Sequence, residues 1–364
     1  MKITLVANSS WYVLNFRSNL INKLKEKGHI ISVVAPKDEY SSRLKNLEIE
    51  YYEWSLSSSS INIFKELFSV FNLRSKLNKI NTDIILSYTP KGNIYSGISN
   101  LTFRKNIKFI PNISGLGTIM LHNFFLRKII FIFYRLALLN SNKIFFQNNE
   151  DMDIFISNKV VKPIDAIRLP GSGVDTNYFQ QDKYIPSNIF LFAGRLIYSK
   201  GLNEFVNVAK KIKKDYPDAL FKVVGAPANS SKLGITETEI PSFFNNTAIQ
   251  YIGITDNIKE IYSSVGVVVL PSYYGEGVPR TLLEASSMGI PIITTNHPGC
   301  RDSVDHNVTG FLCNPMDEIS LFDECMNFLK LSDEEKSKMS LAGRENMIKN
   351  FSEDIVIKKY LINI

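Results

Sequence analysis

The chain has 364 residues, 45% of them hydrophobic, and its 42 basic and 35 acidic residues give a formal charge of +7. This length exceeds the size at which one core usually splits, so two domains are expected. The positive charge is moderate and spread along the chain, which argues against a dedicated nucleic-acid binder and favours anionic small molecules or an anionic membrane surface as partners. Cys300, Cys313 and Cys325 lack the spacing of a disulfide framework or a zinc site, which indicates a reducing cytosol.

Apolar runs alternate with amphipathic segments over the first half of the chain. The predicted strands are Ile3–Ala7, Ile30–Ala35, Ile49–Trp54, Asp83–Tyr88, Ile107–Pro111, Lys143–Phe146 and Asp165–Leu169. A helix is predicted over Phe16–Lys27, with Gly28 placed as a C-cap glycine. Strands that alternate with helices predict a parallel sheet covered on both faces, that is, a Rossmann-like α/β domain.

The longest apolar stretch lies in the segment 123–139 and is interrupted by Arg127, Lys128 and Arg135. It falls short of the ~20 apolar residues that a membrane-spanning helix needs. Two interpretations stay open. The segment is either a helix lying along an anionic membrane surface or a helix largely buried against the sheet.

Asp151 and Asp153 match the D-x-D pattern of metal-dependent transferases. They follow Asn148 and Asn149 at a predicted helix start, where carboxylates complement the positive end of the helix dipole. We therefore expect them to be structural and expect no metal site.

Glycines and a proline interrupt the pattern at Pro170–Asp175, which predicts a linker. The alternation then restarts, with predicted strands at Ile189–Ala193, Leu220–Val224, Ile249–Tyr251, Val265–Leu270 and Ile290–Thr294. The last segment, Glu334–Ile364, predicts two charged helices divided near Asn350 and Phe351. The second half is therefore predicted to repeat the architecture of the first.

Two motifs in the second half predict a phosphate site. The first, G-R-L-I-Y-S-K-G, starts at Gly194 and places Arg195 and Lys200 between a predicted strand and a helix beginning near Leu202. Arg195 can fork onto phosphate oxygens, and Lys200 can add a point charge. The chain has no G-x-G-x-x-G after its first strand, so a nicotinamide or flavin site is not supported.

The second motif, E-G-V-P-R-T-L-L-E, begins at Glu276 and ends at Glu284. Gly277 and Pro279 disfavour a continuous helix, so a helix is predicted to start at about Pro279. Glu284 then lies roughly 5 to 8 Å deeper than Glu276, with unpaired N–H groups of the helix between them. This arrangement suits a nucleotide diphosphate flanked by two hydroxyl-bearing sugars.

These motifs, with Leu-Pro-Ser before the second one and G-I-P-I-I through P-G-C-R after it, cover residues 190–315. They resemble retaining nucleotide-sugar glycosyltransferases of family 4, whose fold is called GT-B. The resemblance implies two Rossmann-like α/β/α domains facing each other across a cleft. It implies an acceptor-binding domain over 1–170, joined by a returning C-terminal helix at 350–364, and a donor-binding domain over 176–349.

The resemblance also implies roles for individual residues. Arg195 and Lys200 would neutralise the donor diphosphate, Glu284 would accept hydrogen bonds from the ribose, and Glu276 would hold hydroxyls of the transferred sugar. The remaining donor-site predictions are Gly194, Tyr251, Ile252, Gly277, Val278, Pro279 and Arg280, with Tyr251 and Ile252 at the base. The catalytic predictions are Glu276, Arg195 and Lys200. No metal is expected to be required, since fixed cations and a helix terminus can stabilise the leaving diphosphate.

The first half departs from the broad family pattern. Many members have a glycine pair after the first strand and a histidine after the fifth, where this chain reads S-S-W-Y-V-L-N-F-R and P-N-I-S-G-L-G. The S-G-L-G version resembles a subgroup that extends lipid-linked O-antigen, capsule or N-glycan precursors. The predicted acceptor contacts are Asn15, Arg17, Asn112, Ser114 and Gly115.

The expected function is transfer of a hexose or N-acetylhexosamine, from a UDP-sugar, to a polyprenyl-diphosphate-linked saccharide at the cytoplasmic face of the plasma membrane. Retention can proceed by double displacement with Glu276 as nucleophile, or by same-face attack, which the resemblance favours. Two alternatives stay open: an enzyme like UDP-N-acetylglucosamine 2-epimerase, and a non-catalytic sugar-nucleotide or polysaccharide-binding protein.

Overall fold

The computed structural model describes residues 1–56, 62–103, 106–117, 124–245 and 248–364. These residues form two compact units, Met1–Ser172 with Val356–Ile364, and Gly173–Ile355. We refer to them as unit 1 and unit 2.

Unit 1 contains a seven-stranded sheet whose strands all run parallel, in the order β3-β2-β1-β4-β5-β6-β7. The strands are β1 (Lys2–Val6), β2 (Ile30–Ala35), β3 (Glu50–Glu53), β4 (Ile84–Tyr88), β5 (Lys108–Ile113), β6 (Ile144–Phe146) and β7 (Ala166–Arg168). The helices are α1 (Ser10–Glu26), α2 (Ile63–Ile80), α3 (Pro90–Asn100), α4 (Phe124–Ala137) and α5 (Asn149–Ser157).

Successive strand residues of unit 1 belong to two separate cores. Val33 of β2 lies in a core with side chains of α1, whereas the next residue, Val34, lies in a core with side chains of α2, α4 and α5. This alternation follows from the two-residue period of a strand, and it explains why the strands read as continuous apolar runs. The predicted α/β/α layering of this half is confirmed.

Unit 2 contains a six-stranded parallel sheet in the order β10-β9-β8-β11-β12-β13. Its strands are β8 (Ile189–Ala193), β9 (Leu220–Val224), β10 (Ile249–Gly253), β11 (Val267–Leu270), β12 (Ile292–Thr295) and β13 (Gly310–Cys313). Its helices are α6 (Leu202–Asp215), α7 (Ile240–Phe244), α8 (Ile258–Tyr262), α9 (Arg280–Ser287), α10 (Glu318–Lys330) and α11 (Asp333–Asn346). The last helix, α12 (Glu353–Asn363), packs Val356, Ile357 and Tyr360 into the core of unit 1 that α1 covers.

Three details differ from the predicted elements. Helix α1 begins at Ser10, six residues before the predicted Phe16, because the Ser9 side chain accepts a hydrogen bond from the Tyr12 backbone and caps the helix. The prediction omitted β13, a strand of four residues. A π-helical turn over Met347–Phe351 separates the last two helices, close to the predicted division.

The start of α5 agrees with the structural interpretation of the D-x-D pattern. The Asn148 side chain accepts a hydrogen bond from the Asp151 backbone N–H at 2.7 Å and donates one to the Asp151 carboxylate at 2.9 Å. Asp151 is buried by this N-cap. In the part of the chain that the structure describes, no group of three or more His, Cys, Asp or Glu side chains could hold a metal ion.

Helix α4 covers most of the segment 123–139 and has one buried face and one exposed face. Asn123 lies outside the described residues. Tyr134 is buried in the core and packs edge-on against Phe155 of α5. Phe125 and Ile132, in contrast, are exposed. None of the helices within the described ranges is both long enough and apolar enough to span a bilayer.

Candidate functional site

The two sequence motifs meet at the carboxyl edge of the unit 2 sheet. Strands β8 and β11 are parallel neighbours, so the loops that follow them emerge side by side. The Tyr273 N–H donates to the Ser199 carbonyl at 2.9 Å and joins the two loops. At Gly201, where φ is +77°, an added Cβ would lie 2.3 Å from the Pro271 carbonyl oxygen, so this close approach requires glycine.

Lys200 and Glu276 form an ion pair that connects the two motifs. Lys200 Nζ lies 2.9 Å from Glu276 Oε1, and both side chains are largely buried. The Ser272 hydroxyl lies 3.5 Å from the same carboxylate oxygen. The structure therefore brings the predicted phosphate cation and the predicted sugar-binding carboxylate into direct contact, which sequence spacing did not predict.

Glu284 lies one turn inside α9, which begins at Arg280 directly after the predicted start at Pro279. Arg280 Nε donates to Glu284 Oε1 at 2.6 Å across one turn of the helix. Burial raises the pKa of Glu284, and the Arg280 guanidinium acts in the opposite direction. The neighbouring Tyr262 is fully buried, and its pKa lies well above the ordinary value because of that burial.

Arg195 is the exposed cation of this edge. It lies two residues beyond the end of β8, and its guanidinium carbon is 5.8 Å from the ring centroid of Tyr274. A guanidinium over an aromatic face is held in place without losing its hydrogen-bonding capacity. Tyr274 was absent from the predicted site residues, because an aromatic residue inside a loop carries no periodic signal.

Two glycines let the loops of the site approach one another. A Cβ on Gly299, where φ is +82°, would lie 1.7 Å from the Gly277 carbonyl oxygen. A Cβ on Gly194 would lie 3.3 Å from the Lys200 side chain, so the absence of a side chain there gives Lys200 its path towards Glu276. Gly299 belongs to the P-G-C-R motif and is not among the predicted site residues.

The other predicted donor residues fall into two groups. Gly277, Val278 and Pro279 are buried in the loop before α9. On the edge strand β10, the Tyr251 hydroxyl donates to the Gly225 carbonyl at 2.9 Å and its ring stacks on Phe244, whereas Ile252 is exposed. Cys300 is fully buried, and burial raises its pKa to about 12.

The predicted acceptor residue Arg17 lies inside unit 1 at 2% exposure. Its guanidinium donates to the Tyr12 hydroxyl at 2.9 Å and lies 4.4 Å from the ring centroid of Tyr88 and 6.0 Å from that of Tyr360. Burial acts to lower the pKa of Arg17, but the surrounding tyrosine hydroxyls raise it above its ordinary value, so the side chain stays charged. We call Arg17, Tyr12, Tyr88 and Tyr360 the arginine cage.

Asn112 extends the arginine cage. Its side-chain amide donates to the Tyr360 hydroxyl at 2.8 Å, and its side-chain oxygen accepts from Gln147 at 3.3 Å. Ser114 and Gly115 follow directly in the chain, with Ser114 half-buried and Gly115 at a φ of +115°. Asn15 is exposed on α1 and donates to the Trp11 carbonyl. The assignment of these residues to the acceptor stays a prediction.

Both units match glycosyltransferase families. Residues 2–148 match the family described as glycosyl transferase 4-like, and residues 174–346 match the family described as glycosyl transferases group 1. Their combination, on two parallel-sheet α/β units, defines the chain as a glycosyltransferase. It belongs to the glycosyltransferases that carry a 4-like domain followed by a group 1 domain.

Two curated relatives extend this similarity along most of the chain. An N,N'-diacetylbacillosaminyl-diphospho-undecaprenol alpha-1,3-N-acetylgalactosaminyltransferase of Campylobacter jejuni is 25% identical over 99% of this chain and 97% of its own length. A UDP-Gal:alpha-D-GlcNAc-diphosphoundecaprenol alpha-1,3-galactosyltransferase of Escherichia coli is 25% identical over 82% of each chain. By their names, both relatives act on saccharides linked to undecaprenol through a diphosphate.

Solved structures confirm the predicted fold. A glycosyltransferase from Rickettsia africae superposes with a TM-score of 0.77 at 21% identity, covering 99% of this chain and 97% of that one. HepE of Anabaena, in a crystal structure with UDP-glucose, gives a TM-score of 0.79 at 14% identity and covers 100% of both chains. This is the fold called GT-B.

Proposed function

We propose that this glycosyltransferase transfers a hexose or N-acetylhexosamine, with retention of configuration, from a UDP-sugar to a saccharide linked to a polyprenyl diphosphate. The main support for this proposal is the ion pair between Lys200 and Glu276. Their side chains lie 2.9 Å apart and join the two motifs at the carboxyl edge of the unit 2 sheet. A cation and a carboxylate in contact there suit the junction between a diphosphate and the sugar attached to it.

The diphosphate would bind to the cations of this edge. Arg195 offers an exposed planar donor, Lys200 a point charge, and α9 the positive end of its helix dipole beside Gly277 and Val278. As the glycosidic bond breaks, negative charge grows on the leaving diphosphate, so these fixed positive groups stabilise the transition state more than the ground state. This residue set supplies the required charge without a metal ion.

The two carboxylates would bind the two sugars. Glu284, fixed by Arg280, would accept hydrogen bonds from the ribose, and Glu276 would accept them from the transferred sugar. Contact with Lys200 fixes the orientation of Glu276, which favours a binding role for this carboxylate. Retention would then follow from attack on the same face as the departing diphosphate, which accepts the proton of the acceptor hydroxyl.

The acceptor assignment is supported by the two relatives whose names specify diphospho-undecaprenol linkages. A polyprenyl-linked acceptor would be used at the cytoplasmic face of the plasma membrane, where exposed apolar residues of α4 and the basic residues Arg127, Lys128 and Arg135 would contact anionic lipid. Replacing the three basic residues with glutamate should reduce binding to anionic liposomes. Unchanged binding would remove the membrane-contact part of the proposal.

The donor proposal is tested with a thermal-shift panel of UDP-, GDP- and ADP-sugars. A UDP-sugar should stabilise the wild type and should stabilise the variants Arg195→Ala and Glu284→Ala much less. Transfer from that sugar to a synthetic lipid diphosphate should yield the same anomeric configuration as in the donor, determined by NMR. An inverted product would contradict retention, and equal shifts in all three proteins would contradict the donor site.

A further inference from the structure

Unit 1 contains a cavity of about 530 Å³ at the carboxyl ends of β2 and β3. Its volume falls in the range of small-molecule pockets, roughly 300 to 1,000 Å³. The first two turns of α2 form its opposite wall. The lining residues are Pro36, Lys37, Glu53, Trp54, Ser55, Leu56, Phe64, Lys65, Phe68 and Ser69. We call this cavity the α2 pocket.

Hydrogen bonds fix the floor of the α2 pocket to the helix. The indole N–H of Trp54 donates to the Ser69 carbonyl at 3.0 Å, and the Ser69 hydroxyl donates to the Ser55 carbonyl at 2.7 Å. The Ser55 N–H in turn donates to the Asn72 side chain at 3.1 Å. Trp54 is itself 1% exposed and packs edge-on against Tyr95. The floor of the pocket is therefore preformed, which lowers the entropic cost of binding.

Two large apolar side chains at the pocket lie in solvent. Phe64 is 82% exposed and Phe68 is 60% exposed, although both line the cavity. Exposed aromatic residues at a concave apolar surface indicate a binding site for an apolar ligand. Three of the lining residues are charged, the exposed Lys37, Lys65 and Glu53, and together they carry a net charge of +1. The ligand that fits combines an apolar chain with an anionic group.

We propose that the α2 pocket binds the isoprenoid chain of the acceptor next to its diphosphate, with Lys37 and Lys65 contacting the phosphates. This inference rests on the proposed function for the identity of the acceptor. Flat aromatic side chains pack closely against the planar double bonds of an isoprenoid, and the two lysines complement the diphosphate charge. The pocket thus lets the enzyme recognise the lipid as well as the saccharide.

Helix α2 provides matched controls for this proposal. Leu67 is 50% exposed and Phe71 is 65% exposed on the same helix, but neither lines the pocket. A generic membrane contact would use all four exposed side chains, whereas a bound chain uses only Phe64 and Phe68. Because all four are exposed, serine substitutions should leave the fold intact, and thermal melting verifies this.

The first test measures kcat/KM for one saccharide diphosphate carrying either an undecaprenyl or a methyl group. Phe64→Ser with Phe68→Ser should lower kcat/KM for the undecaprenyl acceptor at least about tenfold and leave the methyl acceptor within about twofold. Leu67→Ser with Phe71→Ser should change neither. Equal losses in both double variants, or no loss in the first, would overturn the proposal.

The second test measures binding of geranylgeranyl diphosphate by calorimetry, independently of transfer. The wild type should bind, Phe64→Ser with Phe68→Ser should bind at least about tenfold more weakly, and Lys37→Gln with Lys65→Gln should also weaken binding. Absence of wild-type binding would overturn the pocket while leaving the transferase proposal intact. Binding without any transfer to either acceptor would overturn the transferase proposal and keep the pocket.

Discussion

The carboxyl edge of the unit 2 sheet and the arginine cage of unit 1 stabilise cations in opposite ways. In unit 2, Lys200 and Arg280 each contact a carboxylate, and Arg195 is exposed over an aromatic ring. In unit 1, Arg17 is sealed among three tyrosines, and its Nε is buried without a hydrogen-bond partner among the described residues. The first arrangement leaves positive charge accessible from solvent, and the second holds positive charge inside a core.

This difference indicates whether each cation can contact a ligand or serves to hold the core together. A partly accessible ion pair can exchange its partner for a phosphate at low cost, because the charges are already desolvated and oriented. A caged guanidinium instead organises the groups around it, here α1, β4 and α12. Changes at the unit 2 edge should therefore alter catalysis, and changes in the cage should alter stability.

The variant Glu276→Gln should lose more activity than any other variant considered below. We expect kcat to fall about 10²- to 10³-fold, since one preorganised polar contact to the reacting sugar is lost. UDP affinity should change far less, because the cations of the edge remain. Steady-state kinetics and UDP calorimetry measure the two quantities, with Glu318→Gln, also part of a lysine pair in unit 2, as the control. Equal losses of turnover and UDP affinity would move Glu276 out of the sugar site.

A second prediction compares two glycines with nearly the same backbone angle. Gly299→Ala should reduce transfer activity strongly, because its Cβ would lie 1.7 Å from the Gly277 carbonyl oxygen at a φ of +82°. Gly28→Ala has a φ of +80° with nothing within 4 Å of the added Cβ, so it should cost only the backbone strain, about 1 to 2 kcal/mol. Transfer activity, measured for both variants at the same fraction of folded protein, separates a loss of activity from a loss of stability. Equal activities would show that the 299 loop does not shape the site.

The arginine cage is tested by Tyr360→Phe. The change leaves the Asn112 amide without its acceptor in a buried site, so the free energy of unfolding should fall by about 1 to 3 kcal/mol. UDP affinity should stay at the wild-type value, since the cage lies wholly in unit 1. Urea unfolding and UDP calorimetry provide the two measurements. A loss of UDP affinity without a loss of stability would contradict the division between the two regions.

A more modest change is expected in the pH dependence of UDP binding. If the ionised Glu284 accepts hydrogen bonds from the ribose, UDP binding weakens as pH falls and the carboxylate takes up a proton. Arg280→Gln removes the cation that lowers the pKa of Glu284, so this loss should occur at higher pH than in the wild type. The dissociation constant of UDP, measured between about pH 5 and 8 for both proteins, shows this shift in pH dependence. The protonation of UDP itself affects both proteins equally and so cancels between them. The same pH dependence of UDP binding in the wild type and in Arg280→Gln would contradict this prediction.

Most of the fold follows from the sequence, because buried parallel strands read as continuous apolar runs. The predicted strands Ile30–Ala35, Ile189–Ala193 and Leu220–Val224 match the observed ones at both ends. The early start of α1 was missed because its cap, Ser9, precedes residues without a clear helical period. Strand β13 was missed because four residues carry too little pattern.

Local sequence patterns predicted where the helix of the candidate site begins, but not the contact between its two motifs. The spacing around Pro279 predicted where α9 begins, because glycine and proline restrict the backbone locally. The Lys200–Glu276 contact spans two loops brought together by the β8–β11 neighbour relation, which no local pattern encodes. The burial of Arg17 depends likewise on Tyr360, which is distant in the chain.

Calorimetric titration with UDP shows whether the unit 2 edge binds the donor diphosphate through Lys200. The variant Lys200→Gln is compared with Lys211→Gln, whose lysine also pairs with a glutamate in unit 2 but lies on α6 away from the motifs. We predict that Lys200→Gln weakens UDP binding about tenfold or more and that Lys211→Gln leaves it unchanged. Wild-type UDP affinity in Lys200→Gln would show that Lys200 does not bind the diphosphate.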